Sequence, residues 1–109
     1  MLIVAVSYDS QSLNERIHTL ENAGHVVVPA SSLESCLNAI ATDSYRLLII
    51  GATVPFQDRE RIALMSKKIR PEANIISVEW ADSPTLESAD RGVMAGSEDE
   101  LMAAVNSFE

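Results

Sequence analysis

Cysteine is almost missing from this 109-residue sequence: Cys36 stands alone, so no intrachain disulfide and no metal site built on paired cysteines can form. Basic residues are few, with eight Lys and Arg against sixteen Asp and Glu, giving a net charge of −8 and an isoelectric point near 4.6. That balance weighs against nucleic acid or an anionic membrane as partner. No apolar run approaches the roughly 20 residues that span a bilayer. The opening stretch MLIVAVSYD is too short, and lacks the basic flank, for a signal peptide. The cytoplasm is therefore the expected location. Neither repeats nor low-complexity linkers divide the chain, so residues 1–109 are expected to form one domain.

What is present is apolar and ordered in short segments. Hydrophobic residues make up 47% of the chain and are spread through it, which argues against disorder. The charge is spread less evenly. Five of the eight basic residues, Arg59, Arg61, Lys67, Lys68 and Arg70, fall within one segment, whereas from Glu79 onward eight acids face only Arg91. Such an acidic stretch is either a solvated surface or a face meant for a basic partner.

Leu2 to Val6 reads as a strand buried on both faces, because it lacks polar alternation. Leu13, Ile17 and Leu20 recur at helical spacing up to a stop at Gly24. His25 to Val28 forms a second strand, closed by Pro29, and Ser31 with Glu34 offers a capping box for a helix carrying Leu33, Cys36, Leu37, Ile40 and Ala41 on one face. After a third strand, Asp58 opens a helix with Ile62, Met65 and Ile69 inward, ending before Pro71. Asn74 to Val78 is a fourth strand, Gly92 to Met94 a weak fifth, and Ser97 with Glu100 caps a last helix carrying Leu101, Ala104, Val105 and Phe108. Only Pro84 to Asp90 is left for a helix between the last two strands, so a short irregular turn is expected there. Alternation of strand and helix specifies an α/β layered domain around a parallel sheet.

The third strand, YRLLIIGATVP from Tyr45 to Pro55, carries the most specific pattern. A buried run ending in a short turn with Pro55 resembles the third strand of the bacterial response-regulator receiver domain, the phosphorylated module of two-component signalling. The resemblance covers almost the whole chain. It implies a three-layer, flavodoxin- and CheY-like doubly wound fold with a five-stranded parallel sheet in the order 2-1-3-4-5, here with a shortened or irregular fourth helix.

Taken position by position, the resemblance places the family's acidic, Mg²⁺-holding pair on Ser7 and Tyr8, leaving only the following Asp9 acidic. The phosphoacceptor aspartate falls on Gly51, with Thr53 beside it, and the switch hydroxyl on Glu79. The lysine falls on Met94 or, in the alternative register, Ala95, and the switch aromatic on Arg91 or Gly92. Arg59 takes a position that is usually glycine. The scaffold is matched while each catalytic position is changed, so no catalytic residue, metal site or cofactor is assigned. The resemblance further implies a face for dimerisation and output on the fourth helix, fifth strand and fifth helix, where Arg91, Glu98, Asp99 and Met102 lie.

Three functions follow for comparison. The first is a pseudo-receiver, not an enzyme and not phosphorylated, acting on a protein partner with a basic surface or on a second copy of itself. The second is a phosphoacceptor or phosphatase using substitute residues. Against it, no histidine lies near the strand ends to activate Ser7, Tyr8 or Thr53, and a negative Glu79 should repel phosphate. The third is a flavodoxin-like ligand module, in which the loop Ser7 to Ser12 would cradle a phosphate. That loop has hydroxyls but no glycine, and the chain has few aromatics to sandwich a flavin.

Single residues are read more plainly. His18 and His25 are expected at the surface or as caps, and Cys36 as buried packing. Met65, Met94 and Met102 are expected to fill core. Trp80 is either a lid over the altered pocket or an exposed contact. In the register that puts the switch aromatic on Arg91, the resemblance allows Glu79 and Arg91 to form a fixed ion pair where the family has its moving hydroxyl and aromatic.

Overall fold

A computed structural model describes residues 1–109. Nine elements follow in order: β1 (Leu2–Val6), α1 (Ser10–Asn22), β2 (Val26–Ala30), α2 (Leu33–Thr42), β3 (Leu47–Ile50), α3 (Phe56–Ile69), β4 (Asn74–Glu79), β5 (Arg91–Met94) and α4 (Glu98–Ser107). The five strands are all parallel, in the order β2-β1-β3-β4-β5. Alternation along the strands separates two cores, one on each face of the sheet. Val4, Val6, Leu48, Ile50 and Ile75 pack with Cys36, Ile40, Ile62 and Ala63 of α2 and α3. On the other face Ile3, Leu47, Ile49, Ile76 and Val93 pack with Leu20 of α1 and with Leu101, Ala104 and Val105 of α4. The doubly wound, three-layer expectation is thus met, including strand order. No helix is long and apolar enough to cross a membrane.

Several local expectations need correction. The capping box of α2 is Ser32 with Ser35, one residue later than expected: Ser35 N donates to Ser32 Oγ at 3.1 Å and Ser32 N to Ser35 Oγ at 3.2 Å. Its inward face is Cys36, Ala39 and Ile40, while Ala41 is exposed. Helix α3 opens at Phe56 behind Pro55, so Asp58 falls in its first turn, where a carboxylate suits the helix dipole. Ile69 is exposed: the inward stripe of α3 is Arg59, Ile62, Ala63 and Ser66, the last bonded to the buried Tyr45 hydroxyl at 2.7 Å, and Ile69 falls at the edge of that stripe. Pro29 lies within β2, which its place at the sheet edge permits. His25 is buried, not on the surface, with its Nε2 3.4 Å from Glu109.

Between β4 and β5 there is no helix, only turns. Leu86 anchors this connection in the α2–α3 core at 4% exposure, and burying such a side chain contributes about 1.5–3 kcal/mol. Asp90 fastens the far end: its carboxylate accepts from the Ile75 backbone N–H at 2.7 Å and pairs with Lys67 at 3.1 Å.

Candidate functional site: the carboxyl ends of the central strands

In an open parallel sheet, ligands are bound beyond the carboxyl ends of the strands. Ser7 leaves β1 there, with its hydroxyl buried and 3.1 Å from Thr53 Oγ1. Thr53 also accepts the Tyr8 backbone N–H at 3.0 Å, so the turns after β1 and β3 are stitched together. The Tyr8 ring turns away, and its hydroxyl donates to Asp58 at 2.9 Å. Partial burial and the neighbouring Asp58 carboxylate raise the phenol's pKa. Asp9 caps α1 by accepting from the Ser12 hydroxyl and from its backbone N–H, bonds that hold its pKa below the ordinary carboxylate value.

Gly51 sits at the centre, where three groups crowd the space a side chain would need. A Cβ there would lie 2.9 Å from Val6 O, 3.2 Å from Ser7 Cβ and 3.3 Å from Arg16 Nη1. The first of these is backbone and cannot swing aside. Glycine is therefore required by packing, since the N–H of Gly51 also donates to Val6 O at 2.8 Å.

Two arginines converge on this glycine. Arg59, 4% exposed on the inward face of α3, donates from Nη1 to Gly51 O at 2.7 Å and from Nη2 to Val78 O at 2.9 Å. Its Nη2 also donates to the Ser77 hydroxyl, which in turn donates to Glu79 at 3.1 Å. Glu79 Oε2 is 4.0 Å from Arg59 Nη2 and accepts the Leu86 N–H at 3.2 Å. Burial lowers the arginine's pKa and the Glu79 charge opposes that shift; a guanidinium nonetheless remains charged in proteins. The carbonyl ends of β3 and β4 are thus clamped by one buried cation. Arg16 enters from α1, and it too is pushed down in pKa by burial, with Glu98 opposing.

This geometry overturns one expectation. Glu79 and Arg91 do not pair: Glu79 turns to Arg59, whereas Arg91 reaches the Ser107 hydroxyl at 3.4 Å. The contacts of Glu79 with Arg59, Ser77 and the Leu86 N–H all fall on Oε2, while the residue also lines the concavity beside Trp80 and Met94.

Other named residues fall as follows. Met94 is 48% exposed and outside the core, while Ala95 is half-buried and lines the pocket between Ser7, Arg16 and Trp80. Met65 and Met102 pack against the two cores. Trp80 combines both of its readings: its Nε1 donates to Ala52 O at 3.1 Å across the strand ends, yet 54% of the residue is exposed. Arg91, Glu98 and Asp99 are exposed on β5 and at the start of α4, away from the clamp.

The residues missed by sequence reasoning are Arg16 and Ser77, and the buried role of Arg59. A signal for both arginines was present. Arg59 lies at helical spacing with the buried Ile62, Ala63 and Ser66, and Arg16 with Leu13 and Leu20. A charge inside an inward stripe is a buried cation in need of acceptors.

No family model and no curated protein matches this sequence. Solved structures do match. A response regulator from Thermotoga maritima, in complex with Mg²⁺ and BeF, has a TM-score of 0.87 at 21% identity, covering 99% of this chain and 98% of that one. A response-regulator receiver domain from Clostridium thermocellum gives 0.86 at 22%, covering 98% and 92%. A CheY-like receiver domain from Methanospirillum hungatei gives 0.83 at 21%, again covering 98% and 92%. At these identities the likeness establishes the fold. It makes Mg²⁺ a group to test against the residues present. Mg²⁺ takes oxygen ligands in octahedral array, with one or two carboxylates. Here the strand ends offer hydroxyls, a carbonyl already bonded to Arg59, two guanidinium groups, and one carboxylate, Glu79, that stands against Arg59. Asp9 is spent on Ser12. That set does not suit the ion.

Proposed function

We propose that this chain is a signalling module of receiver type that is not phosphorylated and works by contact with another protein. The observation carrying the reading is the filled acceptor position: Gly51 has no room for a side chain, and its carbonyl is held by a buried arginine. A carboxylate nucleophile and a divalent cation are what phosphoryl transfer to a receiver requires, and neither has a place there. Function by contact is supported by the surface beside the clamp. Trp80 and Met94 are large, exposed and apolar, and share a shallow concavity with Glu79 and Glu100. Apolar anchors with an acidic rim suit a partner carrying Lys or Arg around an apolar patch. A second copy of the chain is a less fitting partner for this rim, since like charges would face each other.

The experiment is incubation with a small-molecule phosphodonor and Mg²⁺, followed by intact-mass measurement. No mass gain is expected. Addition of one phosphoryl group would overturn the proposal and return the hydroxyls of Ser7 and Thr53 to consideration.

A further inference from the structure

Arg16 is the one part of the site that the clamp leaves unexplained. Its Nε is buried without a hydrogen-bond partner, and none of the ion pairs in the molecule includes it. The side chain is half-buried, with Nε covered and both terminal nitrogens free of protein acceptors, and buried N–H groups are normally matched by carbonyls or anions. Arg59 illustrates the contrast, with two carbonyls, a hydroxyl and a carboxylate around it. Arg16 instead lines a cavity of about 250 Å³ at the strand ends. Its walls include the hydroxyl-bearing Ser7, Ser12 and Thr53, with Trp80 on one side and Ala95 and Gly96 on the other. Glu98 acts on Arg16 electrostatically but does not reach ion-pair distance.

We propose that this cavity binds a small oxyanion, a phosphate or a carboxylate, without covalent chemistry, against the Arg16 guanidinium. Arg supplies a planar fork of N–H donors that matches two oxygens of either ligand. The cavity has the size for such an ion plus water. No acid competes within it, because the Glu79 carboxylate is turned to Arg59 and Asp9 is bonded to Ser12. The chain is strongly acidic overall, yet this pocket is lined by a cation. Binding would order Arg16 beneath Trp80 and so couple ligand to the exposed indole. The inference concerns the same pocket as the proposed function but does not share its test, since non-covalent binding leaves the mass unchanged.

Trp80 is the only tryptophan, so its fluorescence reports on the cavity directly. Sodium phosphate and sodium acetate are titrated separately into the full chain against sodium chloride at constant ionic strength. A saturable change with either salt, on the order of millimolar, and absent with chloride, is expected, and the salt that produces it identifies the ligand class. In Arg16→Met the affinity should fall by about tenfold or more. The unmodified protein provides a second readout: the Arg16 Nε–H resonance should move along the same binding curve. Failure of both salts to saturate overturns the proposal. So does unchanged affinity in a folded Arg16→Met variant, or an Arg16 Nε–H resonance that stays fixed while Trp80 responds.

Discussion

Arg59 decides the character of the site. Its guanidinium holds Gly51 O, Val78 O, Ser77 and Glu79 in one network, so removing it strands two backbone acceptors and a half-buried carboxylate. Breaking a buried ionic network by deleting one partner is far more damaging than replacing the whole. Arg59→Met should therefore lose about 3 kcal/mol of unfolding free energy, measured by urea denaturation. Arg59→Met with Glu79→Gln should recover part of that loss, and additive losses would argue against a coupled pair. Gly51→Ala tests the crowding itself. Overpacking against Val6 O should cost about 1–3 kcal/mol, and a neutral result would mean that the strand end yields easily.

Cys36 gives a prediction in pH. Burial pushes its thiol up from the ordinary value to about 12. The unfolded chain loses this proton near pH 9 and the folded chain near pH 12, so the folded state binds more protons in between. Stability should then fall as pH rises from about 9 to about 12. In Cys36→Ala that part of the alkaline decline should vanish, as read by denaturation curves across the same range. The native thiol should also resist alkylation at neutral pH.

At the scale of elements, hydrophobic patterning made most of the fold legible. The uninterrupted apolar runs of β1 and β3 and the stripes of α1, α2 and α4 left little freedom in the strand–helix alternation. Boundaries were less readable where polar residues choose between equivalent roles. Ser31 and Ser32 both suit a cap, and only the packing of Leu33 and Cys36 selects the second. The strand-end residues Ser7, Tyr8 and Gly51 were legible in the sequence, but the two arginines gathered around Gly51 were not. Helical spacing puts both arginines on inward stripes, but a long stem can lie inward while its head reaches water. The inward stripe of α3 settles that for Arg59 only once the sheet is in place. His25 escaped for the same reason, since its burial depends on a contact with Glu109 at the far end of the chain.

The connection from Trp80 to Asp90 belongs to this scale too. With no helix to cover α3 and β4, it depends on Leu86 and on the Asp90 carboxylate. Asp90→Ala removes the acceptor of the Ile75 N–H and should cost about 1–2 kcal/mol. Hydrogen exchange at Ile75 should speed up before exchange in β1 or β3 does. Uniform acceleration across the sheet would instead place Asp90 among the determinants of global stability.

The whole molecule combines an acidic exterior with two arginines turned toward the ends of its strands. Association with a basic partner through Trp80, Met94 and the acids of α4 should weaken from low to high ionic strength, mainly through a slower on-rate. Binding that ignores salt would remove the electrostatic part of that account. Its central claim is that the acceptor, the cation ligands and the switch residue changed together, so that restoring one does not restore chemistry. The direct test is intact-mass measurement of wild type and Gly51→Asp after exposure to a small phosphodonor and Mg²⁺, with cooperative melting confirming that the variant is folded. The account predicts no phosphoryl addition to either protein. A phosphorylated wild type would contradict it outright, and a phosphorylated Gly51→Asp alone would show that a single missing aspartate is all that separates this pocket from phosphotransfer.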